Sequence, residues 1–190
     1  MPRTGEPVIE FSESLIQMWL MWRRHRRSFV LPNYTPAGWW ECDVFELRTS
    51  GYFVEYEIKI SLSDFRADRE KAKEDRWLRS PKRMKHEELL QRSTSGPSRF
   101  FYVVPEGLIG ACDVPEWSGL IVMRRSTSRH SSQLFEEVAK PAPRLHQQKL
   151  QPKIEEHARS VIYYRFHDLL YHTIPRGTPM AGDSAVDEPE

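Results

Sequence analysis

Hydrophobic and polar positions alternate most sharply between Trp39 and Ser61, in WWECDVFELRTSGYFVEYEIKIS. Two runs of period two, rich in β-branched and aromatic residues, flank Thr49-Ser50-Gly51. The pattern predicts a β-hairpin closed by a three-residue turn, with Gly51 in the left-handed conformation such loops require. That turn sets a register. Arg48 faces Tyr52, Glu46 faces Val54, Val44 faces Tyr56 and Cys42 faces Ile58, on a mostly apolar side expected to pack into the core. On the other side Phe45 meets Glu55, Asp43 meets Glu57 and Glu41 meets Lys59. A bulge would slip the alternation by one residue.

The period changes on either side of the hairpin. Ser12 is a good N-cap, Glu13 suits a first turn, and Leu15, Ile16, Trp19, Leu20 and Trp22 form a helical stripe. That helix ends in Arg23-Arg24-His25-Arg26-Arg27, where cations either offset the helix dipole or meet phosphate. Pro32, Asn33, Pro36 and Gly38 mark residues 28–38 as a loop. After Ser61, the run DFRADREKAKEDRWLR at 64–79 reads as an exposed, highly charged helix. A basic segment with a proline break follows at 79–86, then a short helical piece, EELLQR, and a flexible loop at 92–98.

Residues 99–105, RFFYVVP, and 119–123, GLIVM, read as buried central strands, with a short strand or extended segment, LIGACDVP, between them. Residues 124–133 are a basic, serine-rich loop headed by Arg124 and Arg125, either mobile or in contact with phosphate. No element is evident over 135–151, and a final helix is expected over Pro152–Tyr171. Residues 1–174 then form one domain, and 175–190 an acidic, disordered tail. The expected class is α/β: a mixed β-sheet with a central hairpin, flanked by helices.

Composition narrows the function classes. Of 190 residues, 39% are hydrophobic and 29% charged, as in a soluble globular domain. No apolar run has membrane-spanning length and the N-terminus has no signal-peptide core, so neither a membrane nor secretion is expected. Cys42 and Cys112 form no Cys-x-x-Cys pair, which fits a reducing, cytoplasmic setting. The net charge of +1 conceals a mildly basic body, because four acids without a base sit in the last eight residues. No Gly-rich phosphate loop is present, so no nucleotide cofactor is expected.

The hairpin carries the sharpest chemistry. Two carboxylates directly opposite on a sheet repel. Asp43 and Glu57 are so placed, with Glu41 and Glu55 beside them and only Lys59 in compensation. A divalent cation relieves that repulsion. Carboxylate oxygens suit Mg²⁺ or Mn²⁺, with waters and a phosphate oxygen completing the shell. The plainer alternative is a polar sheet face whose acids are solvated.

Asp43 followed by Glu57-Ile58-Lys59 on the next strand resembles the motif of the PD-(D/E)xK nuclease superfamily. The wider run, EIKISLSDFRAD, then KHEEL, RFFYVVPEGLI and VPEWSGLI, is similar to its MmcB-like DNA-repair branch and to related phage proteins. The resemblance covers roughly residues 10–125. It implies a restriction-endonuclease-like core and a metal-dependent deoxyribonuclease of DNA repair, recombination or phage DNA processing, in a bacterium or phage-infected host. Asp43 and Glu57 correspond to the metal-binding acids, and Lys59 to the lysine that orients or activates the attacking water. Glu13, or alternatively Glu10, matches a first-helix glutamate. Lys85 and His86 match basic residues near the cleft, and Glu55 is a candidate supporting acid. Cys42 stands where the motif name has proline. Some relatives bind DNA without cutting it, and many pair as homodimers.

Overall fold

The computed structural model describes residues 10–68, 72–73, 83–125 and 134–173. The expected acidic tail, residues 126–133 of the basic loop and 74–82 of the charged stretch lie outside them.

Helix α1 spans Glu13–Arg24, capped as expected by Ser12, whose hydroxyl accepts from Leu15 N–H at 3.2 Å. Three antiparallel strands follow, β1 (Ser28–Tyr34), β2 (Cys42–Arg48) and β3 (Phe53–Ile58). The β2–β3 register is Val44 with Tyr56, Phe45 with Glu55, and Glu46 with Val54, as the turn predicts. Gly51 sits at φ +83°, and its N–H donates to Arg48 O at 2.8 Å. Beyond β3, α2 (Leu62–Ala67), β4 (Ala72–Lys73), β5 (Arg83–Met84) and α3 (Lys85–Leu90) lead to β6 (Arg99–Pro105), β7 (Gly119–Arg125) and β8 (Leu134–Lys140). The last helix, α4, spans Pro152–Thr173.

The result is an α/β fold with a six-stranded mixed sheet, in the order β1-β2-β3-β6-β7-β8. β6 runs parallel to both β3 and β7, and β8 returns antiparallel. Short β4 and β5 pair apart from the main sheet. One face packs under α1, with Ile16 and Leu20 against Val44, Val54, Tyr56, Ile58, Phe101 and Val103. The other buries Phe45, Phe53, Phe100, Tyr102 and Leu120 together with Trp39, Trp117, Phe65 and Leu89.

Several expectations are corrected. Residues 28–34 form a strand, although Pro32 and Asn33 read as loop. β1 is the sheet's edge, where a missing N–H costs no ladder bond. The helix after Ser61 stops at Ala67 and gives way to β4, so the charged run is not one helix. Residues 134–140 form a strand where no element was evident, and 108–115 turn rather than extend. Arg124 and Arg125 end β7 instead of heading a loop.

Candidate active site

The residues of interest gather where β3 ends. Glu55 and Glu57 point from alternate positions of β3 onto one sheet face. That face is not solvated: both carboxylates are fully buried, which excludes the open polar surface. Lys85, the first residue of α3, is equally buried and places its Nζ 2.7 Å from Glu55 and 2.6 Å from Glu57 Oε2. Lys59 Nζ lies 2.9 Å from Glu57 Oε1, 3.2 Å from Asp68 and 3.5 Å from Asp64. Trp39 Nε1 donates to the other oxygen of Glu55 at 2.7 Å.

Local sequence explains the placement. Ser61 caps α2 by accepting from Asp64 N–H at 3.1 Å. The short helix then sets Asp64 and Asp68 four residues apart on one side, facing Lys59. Asp68 also accepts from Tyr102 Oη at 2.8 Å and lies 2.9 Å from His86 Nε2. His86 thus reaches the cluster through Asp68, with its ring edge-on to Trp117.

Asp43 occupies a different position from the one expected. The β2–β3 ladder ends at Val44 and Tyr56, and Asp43 Oδ2 accepts directly from Ile58 N–H at 2.6 Å. Cys42 belongs to the cluster of Phe45, on the Glu55 side, although an unbroken strand puts positions 42 and 45 on opposite faces. The alternation therefore slips at Asp43. Asn33 on β1 shares the irregularity at φ +46°. Gln17 of α1 bridges it, donating to Asn33 Oδ1 at 2.8 Å and to Asp43 O at 2.7 Å. The expected pairing of Cys42 with Ile58 on the α1 face, and of Asp43 with Glu57 side by side, is corrected. Asp43 instead crosses the end of β3, onto the amide between Glu57 and Lys59.

The electrostatics follow from burial. Burial pushes the Glu55 carboxyl up, against the pull of Lys85. Burial works to lower the pKa of both lysines, but the facing carboxylates outweigh it. Lys85, beside Glu55 and Glu57, and Lys59, beside Glu57 and Asp68, are both held above the ordinary lysine value. Burial, then Glu55, raises the Cys42 thiol. The charge balance of the assembled site differs from that of the hairpin alone. Glu41 is exposed and lies outside the cluster, while Lys85 adds a second ammonium and Asp64 and Asp68 add two acids. Acids still outnumber ammoniums.

A divalent cation would meet carboxylate oxygens at this site. The oxygens are hard and of the right kind, and Mg²⁺ commonly takes one or two carboxylates plus waters and substrate phosphate. Glu57 already holds one ammonium on each oxygen. A carboxylate keeps further lone pairs, so a cation would share Glu57 with Lys59 and Lys85. No group of three or more His, Cys, Asp or Glu side chains arranged to cage a metal occurs among the described residues. A two-carboxylate site completed by water and phosphate still fits the residues present.

The other sequence candidates are dispersed. Glu13 and Glu10 are exposed and outside the cluster, whereas Gln17, one turn beyond Glu13, reaches Asp43. Arg124 pairs with Glu106 and, at 2.5 Å, with Glu137, and Arg125 lies over the Phe11 ring at 4.6 Å. Both stand at the carboxyl-terminal edge of β7, the sheet edge that the end of β3 shares through β6. Arg24 is pinned to Glu136 at 2.8 Å and stacks on Tyr56. Asp64, Asp68, Tyr102 and Gln17 were not anticipated. Only the four-residue spacing of Asp64 and Asp68 after a capping serine signalled any of them. A cavity of about 520 Å³, lined by Phe53, Gly96, His146, Lys149, Ile154 and His157 among others, opens at the opposite end of β3 and touches none of the candidate residues.

No family model matches the chain, and no curated protein is similar to it. Among solved structures, the SPO1766 protein of unknown function from Silicibacter pomeroyi is similar over 83% of this chain and 88% of its own. Their identity is 21% and the TM-score 0.50, a likeness of fold alone.

Proposed function

We propose that this chain is a metal-dependent nuclease hydrolysing phosphodiester bonds in DNA, on a restriction-endonuclease-like core of the PD-(D/E)xK type. One observation carries the reading. Asp43, from a separate strand, accepts from the backbone N–H of Ile58, the residue between Glu57 and Lys59, so the three motif residues lie at one sheet end. In α/β sheets, ligands gather at the carboxyl ends of parallel strands, which is where Lys59 stands beyond β3.

Asp43 and Glu57 are the residues that would hold Mg²⁺ or Mn²⁺. Such an ion polarises a phosphodiester and lowers the pKa of its bound water. Lys59 is 3% exposed, its ammonium aimed at Glu57 and Asp68. With its pKa raised, it stays protonated at neutral pH, so it acts as a fixed positive donor toward phosphate and not as a general base. Lys85 holds Glu57 and Glu55 in place from beneath. Asp64, at 45% exposure, marks the mouth of the site. Arg124 and Arg125, at the same edge, are candidate contacts for the DNA backbone.

The double pairing of Glu57 favours a second reading, a non-cleaving DNA-binding or accessory protein whose ion cluster is structural. Incubating single- and double-stranded DNA with wild type and Lys59→Met, in Mg²⁺ or Mn²⁺, separates the two. Metal-dependent cutting lost in Lys59→Met is the outcome for a nuclease. DNA binding without cutting under every condition establishes the accessory role.

A further inference from the structure

We propose that the second half of α4 is the contact surface of a homodimer, where the helix pairs with α4 of a second copy of this chain. This rests on the helix itself and is independent of the nuclease reading. The first half of α4 is anchored to the body. Ala158 is buried, Val161 packs on the core, and the Arg159 guanidinium lies over the Phe29 ring at 4.9 Å. Arg165 donates to Pro32 O at 2.6 Å and to Asn33 O at 2.7 Å. Past that clamp the helix continues to Thr173, projecting about 12 Å at 1.5 Å per residue.

Every residue from 162 to 173 is exposed. Ile162 is 41% exposed, Phe166 57% and Leu169 61%, and Tyr163 and Leu170 flank them. Ile162, Phe166, Leu169 and Thr173 follow one another at steps of four, three and four, the spacing of a coiled-coil seam. At about 100° per residue this stripe lies roughly a quarter of a turn from the side that carries Val161 and Arg165. Aromatic residues and histidine are weak helix formers, and a short apolar turn in water owes its helicity to packing. An apolar stripe of this extent marks an interaction site.

Charge selects the occupant. Residues 162–173 contain one strong cation, Arg165, already committed to backbone carbonyls. DNA and anionic membranes both require several. Residues 174–190, which follow the helix, have three prolines, four acids and only Ile174, Met180 and Val186 as large apolar residues, too few to match the stripe. A second α4 brings an identical seam. Five half-exposed large side chains bury on the order of 500 Å² per copy, about 1,000 Å² for the pair. That is the threshold area for a specific interface.

Sedimentation velocity of the full chain across a concentration series tests the proposal. Wild type is expected to reach twice the chain mass at micromolar concentration. The Phe166→Glu/Leu169→Glu double variant is expected to weaken the dimer by at least about tenfold. Both positions are exposed, so circular dichroism and thermal melting of the body should stay as in wild type. Hydrogen exchange should protect the amides of 166–173 as wild-type concentration rises, and not in the variant. A chain that stays monomeric at hundreds of micromolar overturns the proposal. So does a dimer indifferent to the double substitution, or protection of these amides that appears only on adding DNA or anionic vesicles.

Discussion

Asp43 Oδ2 accepts a 2.6 Å hydrogen bond from the amide of Ile58, so the carboxylate of one strand terminates the ladder of the next. The same side chain therefore has a structural and a chemical role, and substitution separates them. Asn keeps an acceptor oxygen for Ile58 N–H but removes the charge. Asp43→Asn should lie within about 1 kcal/mol of wild type in urea unfolding, whereas Asp43→Ala should lose about 1.5–3 kcal/mol, the worth of a bond to a charged group. In the proposed reaction both variants are inactive. Equal destabilisation by the two would show that the bond to Ile58 is not what Asp43 contributes to the fold.

Lys85 compensates two buried carboxylates at once. Its removal in Lys85→Met leaves Glu55 and Glu57 short of a counter-charge, and should cost about 3–5 kcal/mol. Adding Glu55→Gln should recover part of that loss, with a coupling of at least about 1 kcal/mol in a double-mutant cycle. Additive effects would mean that the two side chains do not act as a pair.

Tyr56 supplies a pH signature away from the site. Burial, together with the Glu46 carboxylate 2.5 Å away, pushes its hydroxyl up to about 12. In the unfolded chain the phenol ionises near about 10, so between those values the native state binds the extra proton. The stabilisation is complete below about pH 10 and falls by about 1.4 kcal/mol per pH unit as pH rises through that window. Urea midpoints of Tyr56→Phe should fall less steeply than those of wild type across this window, where Lys59 and Lys85 also titrate, and differ only by a constant offset at lower pH.

Gly96 is fixed by contact. A Cβ there would lie 2.5 Å from the Trp39 ring, whose Nε1 donates to Glu55. Gly96→Ala should cost about 1–3 kcal/mol through overpacking and shift Trp39 fluorescence as the indole moves. An unchanged melting temperature would show that the 92–98 loop yields freely.

Much of the frame was legible because it depends on local chemistry. Ser12 caps where its side chain suggested, and the Thr49-Ser50-Gly51 turn carried the register through to Val44 and Tyr56. Alternation failed at Asp43, where Gln17 and Arg165, distant in sequence, hold an irregular stretch of β1 and β2. β1 and β8 were missed for a related reason. Each is an edge strand with weak alternation, and its place is set by a neighbour rather than by its own residues. The burial of Glu55 and Glu57 was equally out of reach. It depends on Lys85 arriving from α3, and nothing in a strand of alternating acids announces a counter-charge 28 positions further on.

The central claim is that Asp43 and Glu57 together take a divalent cation beside Lys59. Anomalous scattering from crystals equilibrated with Mn²⁺ tests it most directly. The account predicts a manganese peak touching both carboxylates in wild type and none in Asp43→Asn. A peak elsewhere, or none in wild type with Glu57 still held by Lys59 and Lys85, would contradict it.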